Sequence, residues 1–207
     1  MRKKAGRLKS GRLEKEGGVR AEPRFFVWRL PVRLPDSAGT KKIKKIMEGY
    51  IMNIDFKQEV QNHKEDLLKD LFELLSVNSV LGTDITEETP FGSGPRKALD
   101  LILSFGERDG YKTKLVENKA GHIEVGEGEE LFGILGHVDV VPVVEADWIS
   151  HPFKPEVRDG KIYARGSLDD KGPTMAAYYA VKLLDKLGVK WNKRVRVIIG
   201  SDEETGF

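Results

Sequence analysis

Three short clusters in the sequence hold residues whose types suit work on a hydrolytic bond. Gly136-His137-Val138-Asp139 follows the apolar run Leu131-Phe132-Gly133-Ile134-Leu135, and Gly200-Ser201-Asp202-Glu203-Glu204 follows the apolar run Val195-Arg196-Val197-Ile198-Ile199. The third, Gly166-Ser167-Leu168-Asp169-Asp170-Lys171-Gly172, leads into a helical pattern. Each alone has an ordinary structural reading: a His-x-Asp pair at a strand end, Asp-Asp as cap and dipole partner of a helix, Glu-Glu on a solvated loop. Taken together they supply His137, Asp169 and Glu204, hard and borderline ligands suited to zinc or manganese. Asp139, on the same side of an extended chain as His137, can accept the proton of the imidazole nitrogen not used for a metal and so fix the tautomer. A pair of metals needs a bridging carboxylate, for which Asp169 and Asp170 both qualify. One of Glu203 and Glu204 can ligate while the other remains free as a general base.

The elements that must place these residues follow from periodicity. Leu67, Leu68, Leu71, Phe72 and Leu75 recur at helical spacing, which predicts one amphipathic helix running from about residue 54 to Asn78-Ser79. Ser93 and Pro95 offer a cap and a start to a second helix, whose stripe is Ala98, Leu101, Ile102 and Phe105. Two β-type runs, 111–117 and 121–125, come next. Residues 172–187 read as a third helix with Ala177, Ala180, Val181, Leu184 and Leu187 on its buried side. Alternating strands and helices predict an α/β fold with a mixed, mainly parallel sheet flanked by helices. Ligands in such folds gather outside the carboxyl ends of strands, where two of the clusters fall.

Composition narrows the class. The chain has 207 residues, 39% hydrophobic and 33% charged, with no apolar run long enough to span a bilayer. Cysteine is absent, so a metal must be held by His, Asp and Glu. The net charge of +2 conceals two pieces: residues 1–51 hold 15 Lys/Arg against 5 Asp/Glu, and residues 52–207 hold 20 against 28. The foldable part is acidic, which argues against nucleic acid as a partner. Residues 1–51 read as a basic leader, disordered or not native. The run Met47-Glu48-Gly49-Tyr50-Ile51-Met52 can be encoded with a ribosome-binding sequence shortly before the Met52 codon, so the expectation is that translation naturally starts at Met52.

The motifs also carry a family resemblance. Gly136-His137-Val138-Asp139-Val140-Val141-Pro142, Asp147-Trp148, His151-Pro152-Phe153, Asp159-Gly160, Tyr163-Ala164-Arg165-Gly166, Asp169-Asp170-Lys171-Gly172 and Asp202-Glu203-Glu204-Thr205-Gly206 occur in the order seen in the co-catalytic zinc metallopeptidases. The sequence resembles that family from about residue 54 onward. It includes PepV-type dipeptidases, carnosinases, succinyl-diaminopimelate desuccinylases, acetylornithine deacetylases and glutamate carboxypeptidases. The resemblance implies a zinc-dependent exopeptidase-like catalytic domain, of which residues 52–207 would be the N-terminal part, with the inserted lid domain absent. It implies two divalent metal ions, zinc first and manganese or cobalt as alternatives. His137 becomes a ligand of one ion, Asp169 the bridge and Glu204 a ligand of the other. Asp139 becomes the orienting carboxylate, and Glu203 the base that activates a bridging water. A cis Asp169-Asp170 peptide is expected.

Asp-Asp-Lys-Gly-Pro at 169–173 leans toward the dipeptidase branch, with a small peptide as substrate, no nucleic-acid or membrane partner, and a cytoplasmic location. The alternatives are an N-acyl amino-acid deacylase or desuccinylase and, outside enzymes, a catalytically dead truncated product. The family's further carboxylate and its late His lie downstream of these motifs, so the 207 residues by themselves are expected to be inactive. His63 and His122 are expected at the surface. His151 is expected to shape the loop under Trp148. Lys171 and Arg165 are expected to serve either a substrate carboxylate or packing.

Overall fold

A computed structural model describes residues 54–206 and, for the backbone alone, the short strand β1 (Val19–Arg20). The leader and start-site expectations otherwise lie outside the described residues. The chain continues through α1 (Phe56–Asn62), α2 (Lys64–Leu75), α3 (Ser93–Arg108), β2 (Lys112–Val116), β3 (Ala120–Val125) and β4 (Leu131–His137). After these come β5 (Glu156–Arg158), β6 (Lys161–Tyr163), α4 (Lys171–Lys186), β7 (Arg194–Gly200) and the helical turn α5 (Glu203–Gly206).

The main sheet has the order β2-β3-β7-β4. β7 pairs parallel to β4, with His137 opposite Gly200, and antiparallel to β3. β2 and β3 form an antiparallel hairpin. The sheet is mixed, as predicted. Among the described strands, however, it is not mainly parallel, because two of its three pairings are antiparallel. The runs 111–117 and 121–125 are separated by too few residues for the crossover that a parallel pair requires, so they close as a hairpin. The parallel pair is the one that matters for the site: it sets the carboxyl ends of β4 and β7 side by side.

Alternate residues of β7, namely Val195, Val197 and Ile199, are buried with Ile123 of β3, and α2, α3 and α4 pack onto them through Leu74, Leu75, Leu99, Ile102, Met175 and Tyr178. The stripe of α4 differs from the predicted one. Met175, Tyr178, Tyr179, Val181 and Leu183 are buried, while Ala180 is exposed. Tyr178 and Tyr179 go inward because their hydroxyls find partners there: Tyr178 donates to Asp109 Oδ2 at 2.5 Å, and Tyr179 to Asp70 Oδ2 at 2.6 Å.

The first predicted helix is broken at His63 into α1 and α2, and it ends at Leu75, before Asn78. His63 is half-buried at the break, with its Nδ1 2.9 Å from the Glu59 carbonyl oxygen, rather than lying on an open surface. Ser93 is the first helical residue of α3 and not its cap. Gly92, with φ +91°, occupies the cap position, and the Asp84 carboxylate accepts the Ser93 amide from across the loop. A small second sheet, β1-β6-β5, contains the two-residue turn Asp159-Gly160, both residues with positive φ, as a tight hairpin requires.

Candidate metal centre

His137 is the last residue of β4, and its ring is buried among carboxylates. Nε2 lies 3.2 Å from Asp169 Oδ1 and 3.7 Å from Glu203 Oε2. Ligand atoms of His137, Asp169 and Glu204 all fall within 4.8 Å of one another, so the three sequence clusters do meet at one rim. Asp169 and Glu203 expose 72% and 54% of their side chains, so the face toward a ligand is open while His137 is held from behind.

Behind the ring sits Asp139, itself buried. Its Oδ1 is 3.3 Å from Nδ1 but has no hydrogen-bond partner in line, and Nδ1 is also 3.2 Å from the Asp139 carbonyl oxygen. Its Oδ2 accepts the Glu204 amide at 2.9 Å. One carboxylate thus touches both the imidazole and the turn that carries Glu203 and Glu204. The Asp169-Asp170 peptide is cis, as expected. Asp170, the other candidate bridge, turns away from the ligand face: its Oδ2 accepts the His137 amide at 3.1 Å and the Thr174 hydroxyl at 2.9 Å.

The electrostatics match the crowding of acids. Burial pulls the His137 pKa down, but Asp139, Asp170, Glu203 and Asp169 outweigh it, and the net shift is upward. Glu204 is raised, first by burial and then by Asp169, with Asp139 and Glu203 adding to it. Carboxylates that raise the proton affinity of Glu204 and of the His137 imidazole make a negative site that a cation relieves. The donor set is nitrogen and oxygen only, and the buried Asp139 Oδ1 stands ready for the Nδ1 proton, so these residues fit a divalent metal.

Sequence reasoning missed two supports, Ser79 and Thr174, and left the role of a third, Lys171, between two alternatives. Ser79 is fully buried; its hydroxyl donates to the Val138 carbonyl at 2.6 Å, and its own carbonyl accepts the Val140 amide. Thr174 had no signal beyond lying four residues after Asp170. Lys171 is fully buried and donates to the carbonyls of Leu74 and Val77 at 3.1 and 2.7 Å, which assigns it to packing at the end of α2. Burial pushes its ammonium down to about 7, with Asp139 opposing. Arg165 stacks 5.4 Å over Trp148, which takes the packing side of its two expected roles, and His151 Nδ1 accepts the Phe153 amide, so His151 belongs to the loop as expected. His122 is only partly exposed, in the middle of β3.

A parallel strand pair with metal-suited side chains at its carboxyl ends, backed by helices, is an α/β arrangement that could hold a metal ion. Residues 133–207 match Peptidase family M20/M25/M40. A protein of Staphylococcus saprophyticus described as a "putative dipeptidase" is 52% identical over 153 residues, 73% of this chain and 32% of its own length. The "putative dipeptidase YtjP" of Bacillus subtilis is 48% identical over 155 residues, 74% of this chain and 33% of its own. The chain spans about a third of the length of these curated relatives. Among solved structures, human carnosine dipeptidase 1 superposes with a TM-score of 0.62 at 23% identity, covering 72% of this chain and 34% of that one. An M20 family metallo-carboxypeptidase of Sulfolobus solfataricus gives 0.56 at 26%, covering 67% and 31%.

Proposed function

We propose that this chain carries the N-terminal part of a metal-dependent dipeptidase site, in which His137, Asp169 and Glu204 hold divalent metal, zinc first, and Glu203 is the proton-transfer residue. The observation that carries this reading is the meeting of the His137, Asp169 and Glu204 ligand atoms within 4.8 Å. Divalent metal held by His137, Asp169 and Glu204 would supply Lewis-acid chemistry, polarising a scissile carbonyl and lowering the pKa of water. The remaining work falls to the chain's own groups. Glu203, whose Oε2 stands on the Nε2 side of His137, takes the proton of the attacking water and returns it to the leaving amine. Asp139 holds the His137 tautomer from behind and, through the Glu204 amide, fixes the turn that presents Glu203. The substrate is a short peptide, and the location is cytoplasmic. Among the described residues no helix is long and apolar enough to cross a membrane.

The test is a chimera in which residues 54–207 replace the matching stretch of the Bacillus subtilis relative. It should hydrolyse dipeptides in preference to N-acyl amino acids. Glu203→Ala should remove turnover by a factor on the order of 100 or more while leaving metal content intact, because a base is lost and no ligand. His137→Ala should lose metal as well. Equal metal loss in the two variants would reverse the roles of base and ligand, and hydrolysis confined to N-acyl amino acids would favour the deacylase.

A further inference from the structure

We propose that Asp170 and Thr174 are a positioning pair that stands in for a neighbouring strand at His137 and fixes where its imidazole is held. The inference rests on His137 being a metal ligand. Among the described strands β4 is paired on one side only, with β7. Successive amides of a strand point to opposite edges, and the Val138 amide donates to the Gly200 carbonyl at 3.0 Å. The main-chain polar groups of His137 therefore face the open edge, where a strand end would leave them to water. Side chains take them instead. Asp170 Oδ2 accepts the His137 amide at 3.1 Å, and the Thr174 hydroxyl donates to the same oxygen at 2.9 Å while lying 3.4 Å from the His137 carbonyl.

Asp170 and Thr174 are four residues apart at the start of α4, so one helical turn presents both to the same strand residue. Gly136 makes the approach possible. A Cβ there would lie 2.2 Å from Thr174 Oγ1 and 2.8 Å from Asp170 Oδ2. The preceding residue, Asp169, meets His137 Nε2 from the front. The adjacent pair Asp169-Asp170 thus grips one histidine twice, by its ring and by its main chain, and Asp170 is a positioning residue rather than the metal bridge.

The experiment uses the whole 207-residue chain, with Co²⁺ as the metal probe and exchange of the His137 amide as a metal-free readout. Asp170→Ala and Thr174→Val should each speed exchange of the His137 amide, with that of Ile134 unchanged, and should weaken Co²⁺ binding about tenfold, as loss of a partner behind a ligand does. Asp170→Asn keeps an acceptor oxygen and should retain both protection and affinity. Unchanged exchange in both Asp170→Ala and Thr174→Val would overturn the pair. So would an Asp170→Asn variant that loses Co²⁺ as fully as Asp170→Ala while Thr174→Val is silent, since Asp170 would then be a ligand. If His137→Ala binds Co²⁺ as the unaltered chain does, the metal reading fails, whatever the exchange data show.

Discussion

Asp139 shows how much a single buried carboxylate can coordinate. It faces Nδ1 of His137 with one oxygen and the Glu204 amide with the other, so it links a strand end to the turn after the neighbouring strand. Asp139→Asn keeps the size and one acceptor oxygen but removes the charge that favours the Nδ1–H tautomer. Metal affinity should fall roughly 10- to 100-fold with little change in melting temperature, measured by calorimetry on the purified variant. Affinity equal to that of the unaltered chain would remove Asp139 from the site. At this scale the meeting of the clusters was legible in the sequence, because polar residues that follow the ends of neighbouring strands come to one rim. His137, Asp169, Glu203 and Glu204 gather there, with Asp139 behind the imidazole. Ser79 and Thr174 were not legible as supports, and Lys171 only as one of two alternatives. Ser79 and Lys171 answer main-chain carbonyls far away along the chain, which no side-chain pattern encodes, and Thr174 answers Asp170 Oδ2 and lies near the His137 carbonyl.

Between elements, the joint that holds α2 to the start of α4 is the fully buried Lys171. Its ammonium answers two carbonyls near the C-terminus of α2, groups that a helix end leaves without partners. Lys171→Met keeps the length and apolar stem but leaves the Val77 carbonyl without its ammonium partner and the Leu74 carbonyl with the Val77 amide at 3.3 Å. The expected cost is about 2 kcal/mol, read as a lower urea midpoint with unchanged slope. A neutral or stabilising effect would show that burying the ammonium cancels its hydrogen bonds. The elements themselves were mostly legible from periodicity: the four strands of the main sheet were found to within two residues, while β5 and β6, three residues each, are too short to show a period. The break at His63 was not, because apolar spacing continues across it. The α4 stripe was misjudged because a count of small and branched apolar residues passes over Tyr178 and Tyr179, whose rings are buried only because Asp109 and Asp70 await their hydroxyls.

Over the whole molecule, Asp70, Arg108, Asp109, Tyr178, Tyr179 and Lys182 form one ion-pair and hydrogen-bond network that ties α2, α3 and α4 together. Burial alone would raise the Asp109 pKa, but Arg108, Lys182 and Tyr178 bring it down to about 2. Asp70 is lowered in the same way by Arg108 and Tyr179 against its own burial. A folded pKa below the unfolded value of about 3.9 means that the stabilisation is complete above that value and is lost as pH falls toward 2. For Asp109 the loss is on the order of 2 kcal/mol. Urea midpoints should drop through this window, and Asp109→Asn should be less stable at neutral pH and show a shallower acid slope. The final expectation concerns the 207 residues as a molecule. On the proposed function, His137 and Asp169 would serve one ion and Asp169 and Glu204 the other, so among the described residues each ion would have two of the three or more protein ligands that a zinc site usually takes. Binding should be weak and open to water, which removes the advantages of a closed, pre-oriented site. Among the described strands β4 is also an edge, with Leu131, Phe132 and Leu135 exposed, the last by 80%, which favours association between copies. The purified chain should therefore show no turnover of β-alanyl or ordinary dipeptides with added zinc or manganese, and its sedimentation should show concentration-dependent association. Turnover by this chain that disappears in Glu203→Ala would prove that two ligands per ion suffice.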